Sequence, residues 1–160
     1  MNRGAAVPEF QDPGTPTHEP LDVDAVWDLG EKIDELCPDG LLSHEKLASI
    51  AAGENVPLSH IYTAAAFDPD YRWERAHERQ IVVCLGACQA WGAGEIVEKL
   101  FELRQERLDA GGPGFDIVSV ACLDRCMTPA AADTQGPDGA YQHAGLRVGI
   151  EEELVAALCD

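Results

Sequence analysis

Two cysteine pairs constrain this chain more than any other feature. Cys84-Leu85-Gly86-Ala87-Cys88 is followed, after 33 intervening residues, by Cys122-Leu123-Asp124-Arg125-Cys126. Each pair comes directly behind a short, β-branched, apolar run: Gln80 to Val83 before the first, Phe115 to Ala121 before the second. Such runs read as buried strands. If the two strands lie side by side and point the same way, both loops are delivered to one end of the sheet. Four thiolates then converge, as a soft four-coordinate metal or a cluster with two cysteines per iron requires. Structural zinc accepts pairs with three intervening residues. A [2Fe-2S] cluster accepts the same donors, and spacing alone does not separate the two. Two disulfides are the third possibility, disfavoured in a reducing compartment. Two matched pairs behind two strands also weigh against four merely buried small residues.

The rest of the chain gives those strands a context. Residues 1–20 hold four prolines and two glycines with little hydrophobic periodicity, so they read as a disordered tail. Residues 21–75 read as a small helical domain. Val26, Leu29, Ile33 and Leu36 recur at helical spacing, and Pro38-Asp39-Gly40 stops that helix. Trp27 falls in this helix and is expected in its core. Ser43 is the expected cap of a second helix, with Leu42 and Leu47 spaced as a hydrophobic staple and Gly53 at its end. Pro57 opens a third, which runs towards Phe67. The polar stretch from Asp68 to Arg79, with Arg72, Arg75 and Arg79, reads as a solvated connector.

Residues 76–160 alternate strand and helix. Ala93 to Leu108 is amphipathic, with Ile96, Val97, Leu100 and Phe101 on one side. Gly136-Pro137-Asp138-Gly139 is a strong turn signal, so Pro129 to Gln135 and Ala140 to Ala144 are expected to form a hairpin. Ile150 to Leu158 completes the chain as a helix with acidic residues in its first turn. The expected class is α/β: a small open sheet flanked by helices.

Charge excludes several functions. Eleven Lys+Arg stand against 29 Asp+Glu, a net charge of −18. Nucleic acid binding needs clustered cations, and an anionic membrane surface repels such a chain. No stretch approaches the roughly 18 apolar residues of a membrane span. Met1 to Glu19 lacks the apolar core of a secretory signal, so the expected compartment is cytoplasmic.

Three stretches together resemble the thioredoxin-like [2Fe-2S] ferredoxin family. Its members include the E-type subunits of NADH-quinone oxidoreductase and of bidirectional hydrogenases, and the gamma subunit of NAD-dependent formate dehydrogenase. Leu41 to Phe67 is similar to the family's helical lead-in. Ile81 to Gly92 resembles its first cysteine loop, with Gly92 four residues after Cys88. Ile117 to Pro129 resembles the second, with a proline after the last cysteine. Both loops are one residue shorter than the family's. Three residues separate Cys84 from Cys88 where the family has four, and Met127-Thr128 precede Pro129 where it has three residues.

The resemblance implies a thioredoxin-like ferredoxin domain behind a small helical domain. It implies one [2Fe-2S] cluster on Cys84, Cys88, Cys122 and Cys126. It implies electron exchange with flavin mononucleotide (FMN) held, along with NAD, by a partner flavoprotein subunit of an NAD-linked dehydrogenase, formate dehydrogenase or hydrogenase complex. The chain carries no G-x-G-x-x-G behind a strand, so it is not expected to be a dehydrogenase alone. The shortened loops keep two alternatives open: a structural or assembly subunit of such a complex with an altered or empty site, or a zinc-stabilised interaction module. The high negative charge opposes adding an electron, so a low potential is expected. Arg125 is the nearest cation in sequence, its plainer reading a solvated surface arginine. Cys37 and Cys159 sit near helix ends on apolar faces and read as inert thiols. The five histidines show no ligand spacing, and Trp73 and Trp91 read as packing residues or interface anchors.

Overall fold

The computed structural model describes residues 14–126, 129–146 and 149–160. Residues 1–13 of the expected tail, and the short link Met127-Thr128, lie outside the described residues.

The chain is mixed α/β. Helix α1 (Val23–Leu36) starts on Asp22, whose carboxylate accepts from the Asp24 N–H, and buries Leu29 and Ile33. Trp27 points the other way and is 72% exposed, so it is not the core residue its helix suggested. Helical spacing places it two positions from Leu29, on a different face. After the two-residue strand β1 (Leu41–Leu42), Ser43 caps α2 (His44–Glu54) by accepting from the Lys46 N–H. The helix runs past Gly53 and stops at Asn55, whose φ of 53° turns the chain left-handed. Leu42 and Leu47 are both fully buried. Helix α3 (Leu58–Ala66) follows Pro57 and is the most buried helix, with every residue from Ile61 to Ala66 inside.

The segment expected to be a solvated connector is largely exposed, and it is also fastened to the rest of the chain. Strand β2 (Arg72–Trp73) pairs in parallel with β1. Asp116 accepts from the Ala76 and His77 N–H groups, both at 3.0 Å. Arg75 reaches Gln135 at 2.8 Å, and Arg79 donates to the Leu158 carbonyl at 2.9 Å. Charge suggested solvation, and Arg72 and Arg75 are exposed, but Arg75 and Arg79 also find amide and carbonyl partners on later elements.

Four strands make the main sheet: β3 (Gln80–Cys84), β4 (Asp116–Val120), β5 (Ala131–Gln135) and β6 (Tyr141–Gly145). Their order is β4-β3-β5-β6. β3 and β4 run parallel, with Gln80 opposite Asp116 and Cys84 opposite Val120. β5 is antiparallel to both β3 and β6, so the expected hairpin is present. Helix α4 (Ala93–Asp109) is the crossover between the parallel strands. Helix α5 (Glu151–Cys159) packs on α4.

α3 lies against β4 and α4, joining the N-terminal helices to the sheet. The Ser119 hydroxyl donates to the Tyr62 carbonyl at 2.6 Å, and the Ser59 N–H to the Glu98 carboxylate at 2.7 Å. Tyr62 is fully buried, its ring centre 4.7 Å from that of Phe101 and 5.1 Å from that of Trp73. Such pairs contribute about 0.5–1.5 kcal/mol each beyond the area they bury. No helix among the described residues is long and apolar enough to cross a membrane.

Candidate metal centre

The two cysteine loops leave the same end of the sheet. β3 ends at Cys84, and β4 ends at Val120, two residues before Cys122. The Leu85 N–H continues the ladder to the Val120 carbonyl at 2.9 Å. The Cys84 sulfur lies 3.5 Å from the Ala121 carbonyl oxygen.

Beyond Cys84 the chain makes one short 3-10 helix, Ala87–Trp91. Gly92 ends it with φ of 89° and opens α4. That left-handed corner needs glycine, which gives the conspicuous Gly92 a backbone role. Gln89 laces the loop from the side. Its amide nitrogen donates to the Leu85 and Gly86 carbonyls at 2.7 and 3.3 Å, and its oxygen accepts from the Leu21 N–H at 2.9 Å. The N-terminal segment lies on the same turn: Thr17 and His18 N–H both donate to the Ala90 carbonyl.

The second loop turns at Asp124, whose φ is 56°; its N–H donates to the Cys122 sulfur at 3.2 Å. Aspartate tolerates that left-handed position better than most residues. Arg125 is neither fully solvated nor isolated. Its guanidinium donates to His143 Nε2 at 2.7 Å and lies 3.6 Å from the Asp133 carboxylate. His143 Nδ1 is 2.6 Å from the same carboxylate. With Nε2 accepting from arginine, Nδ1 carries the ring proton and donates to Asp133. Loop and hairpin are thereby tied.

The thiols stand as two pairs. Cys84 and Cys88 are buried, each 3% exposed, while Cys122 and Cys126 are exposed. The Cys84 thiol is pulled down to about 6, chiefly by a hydrogen bond from Cys88, with the N–H groups of Gly86, Cys88 and Leu123 adding to it against burial. Cys88 is pushed up by that same sharing and by burial, although the Ala131 N–H points at its sulfur. Cys126 is pushed up by its hydrogen bond to Cys122 and by the charge on Cys122. A side-chain hydrogen bond to the other cysteine of the pair is the first cause for Cys84, Cys88 and Cys126 alike. The pairs also sense each other, since charge on Cys84 raises Cys126.

Among the described residues, no three His, Cys, Asp or Glu side chains are set around a common point as a ready-made ion site. The two cysteine pairs nevertheless lie in loops at the same end of the sheet, and the Asp124 N–H is aimed at the Cys122 sulfur. That donor set is soft, and it matches a cluster that takes two thiolates per iron. Cys37 and Cys159 lie elsewhere, buried at 1% and 6% exposure, and burial raises both thiols. His60 and His77 lie outside the thiol cluster, His60 on α3 and His77 in the segment fastened by Asp116. Asp133, His143 and Gln89 carry the geometry of the site but left little trace in the sequence. The one signal was an aspartate inside an otherwise small, buried strand, AADTQ.

No protein-family model matches this chain, and no curated protein matches it.

Proposed function

We propose that this chain is an electron-transfer subunit that holds one [2Fe-2S] cluster on Cys84, Cys88, Cys122 and Cys126. The observation that carries the reading is the parallel pairing of β3 with β4, which brings both cysteine loops to one end of the sheet. The order β4-β3-β5-β6, with a parallel pair joined by a helix and an antiparallel hairpin beyond it, supports a thioredoxin-like domain.

The protein's own part is to hold and to shield. Cys84 and Cys88 supply a buried side from which Leu85, fully buried, helps exclude water. N–H groups of Gly86, Cys88, Leu123 and Ala131 stabilise charge on those sulfurs. Cys122 and Cys126 leave the opposite side open to a partner. A bound [2Fe-2S] cluster supplies one-electron redox chemistry. The Asp133 carboxylate offsets the Arg125 charge, so little remains to counter the chain's −18, and the proposed potential is low. The proposed partner is a flavoprotein subunit that carries FMN and binds NAD in a cytoplasmic, NAD-linked oxidoreductase complex.

The test is electron paramagnetic resonance on anaerobically purified chain reduced with dithionite. The reading expects the paramagnetic signal of a one-electron-reduced [2Fe-2S] cluster, lost in Cys84→Ser. A folded, colourless protein without that signal sinks it and leaves the zinc or empty-site alternatives.

A further inference from the structure

Helix α1 presents two faces. Leu29 and Ile33 are buried. A second stripe, Val23, Val26, Trp27, Gly30, Glu31 and Asp34, follows the same helical spacing but lines an open groove of about 950 Å³. Phe67, 51% exposed, and Tyr71 form part of the opposite wall. Trp27 and Phe67 are the two most conspicuous exposed aromatic side chains beside it, and solvated aromatics lining one concavity mark an interaction site more often than chance exposure does.

The groove's charge is one-sided. Glu31, Asp34 and Asp68 line it, and among the described residues no Lys, Arg or His does. α1 as a whole carries Asp24, Asp28, Glu31, Asp34 and Glu35 against Lys32 alone, and Lys32 is paired with Glu35. Asp34 accepts from the Tyr71 hydroxyl, leaving Glu31 as the carboxylate of the stripe with most freedom to meet a ligand. An apolar wall rimmed by carboxylates repels anions and attracts cations that bring apolar surface with them. Trp27 adds a π face on which an arginine or lysine can rest.

Gly30 sets the shape. A β-carbon there would meet no atom within 4 Å, so the middle of the stripe is a notch. A partner's backbone can approach α1 closely at that point. The stripe spans residues 23–34 of α1, about three helical turns. That is the length over which an amphipathic helix places anchors at i, i+3, i+4 and i+7.

We infer that this groove docks a basic amphipathic helix of a partner protein, its apolar side against Trp27, Phe67 and the Gly30 notch and its cations on Glu31 and Asp68. Gly86 and Ala87 also line the groove, so the docked segment touches the loop that carries Cys84 and Cys88. The inference stands without iron, because no thiol takes part in it.

The test uses the full chain and a designed peptide of Leu and Lys, fourteen residues long to match α1, with Leu at helical spacing. Two control peptides replace every Lys by Glu or scramble the order. The basic peptide is expected to bind saturably, shift Trp emission to the blue, and weaken as salt is raised. Gly30→Leu fills the notch while favouring the helix, and is expected to weaken binding about tenfold or more. Glu31→Lys is expected to weaken it several-fold, and Trp27→Phe to remove most of the emission shift. Circular dichroism checks that each variant is folded. Unchanged affinity in folded Gly30→Leu overturns the proposal. So does equal binding of the acidic or scrambled peptide, or a dimer in sedimentation that Gly30→Leu disrupts, which would make a second copy the occupant.

Discussion

Gly86 lies so close to the Ala121 carbonyl that a β-carbon at position 86 would have no room beside that oxygen. The φ of Gly86 is −88°, so left-handed freedom is not what the position uses. It uses the missing side chain. This contact locks the first cysteine loop against the second, one residue before Cys122. The neighbour is backbone, which cannot swing aside as a side-chain tip would.

Gly86→Ala must therefore push the two loops apart. The expected loss of stability is about 1–3 kcal/mol, the usual range for forced overpacking. Urea denaturation of wild type and variant measures it. A stability change within about 0.3 kcal/mol would show that the loops separate freely and that the contact constrains nothing.

Arg104 makes a second joint, between α4 and the start of β4. It is 4% exposed and donates to the Phe115 carbonyl at 3.0 Å. Its ionic partner Glu45, 3.8 Å away, is 76% exposed in its side chain. The hydrogen bond to a buried carbonyl carries more than the ion pair to a solvated carboxylate. Arg104→Ala is expected to cost about 2–4 kcal/mol, combining an orphaned carbonyl with lost packing. Glu45→Gln should cost under about 0.5 kcal/mol. Similar losses for both, in denaturant melts, would reverse that ranking.

His44 links fold to pH. Its ring sits 5.5 Å from that of Phe101, and Nδ1 is 3.0 Å from the Tyr62 hydroxyl. Burial, and then the Arg104 charge, hold it below the ordinary histidine value. As pH falls, the unfolded chain takes up that proton first. The contribution of His44 is thus fully present above the unfolded value of about 6.5, and it is lost as pH falls from there towards the depressed folded value. His44→Phe should flatten the stability decline measured by denaturant melts below about pH 6.5. An identical decline in the variant would mean that His44 protonates equally well in the fold.

Thiol reactivity separates the outer cysteine pair from Cys37 and Cys159. Only Cys122 and Cys126 are exposed. In metal-free chain, a disulfide reagent such as Ellman's should reach those two before the buried thiols, with Cys126 slowed by its raised thiol. Cys37 and Cys159, buried and with raised thiols, should react only on unfolding. Mass spectrometry of partly labelled protein identifies the sites. Early modification of Cys37 or Cys159 would contradict their description as inert.

Much of this architecture is legible from local pattern. The strands ending at Cys84 and near Cys122 show as short β-branched runs, and β6 shows through its turn, Gly136 to Gly139, although the strand itself is exposed. The parts that stay hidden have physical reasons. β1 and β2 are two residues long and carry no period at all. The polar segment around Arg72 to Arg79 is structured by distant partners, which local composition does not encode. Trp27 is large and apolar, yet helix geometry turns it away from the core. At the candidate site the four cysteines are plain in the sequence. Their division into an inner and an outer pair, and the tie from Asp133 through His143 to Arg125, arise only when the hairpin folds back beside β3.

The measurement that tests the central claim most directly is a count of iron, acid-labile sulfide and zinc per chain after anaerobic purification. Two irons and two sulfides per chain, falling together in Cys84→Ser and Cys122→Ser, are what a [2Fe-2S] cluster on these four thiols predicts. Zinc without sulfide, or a folded chain that holds neither metal, would contradict it.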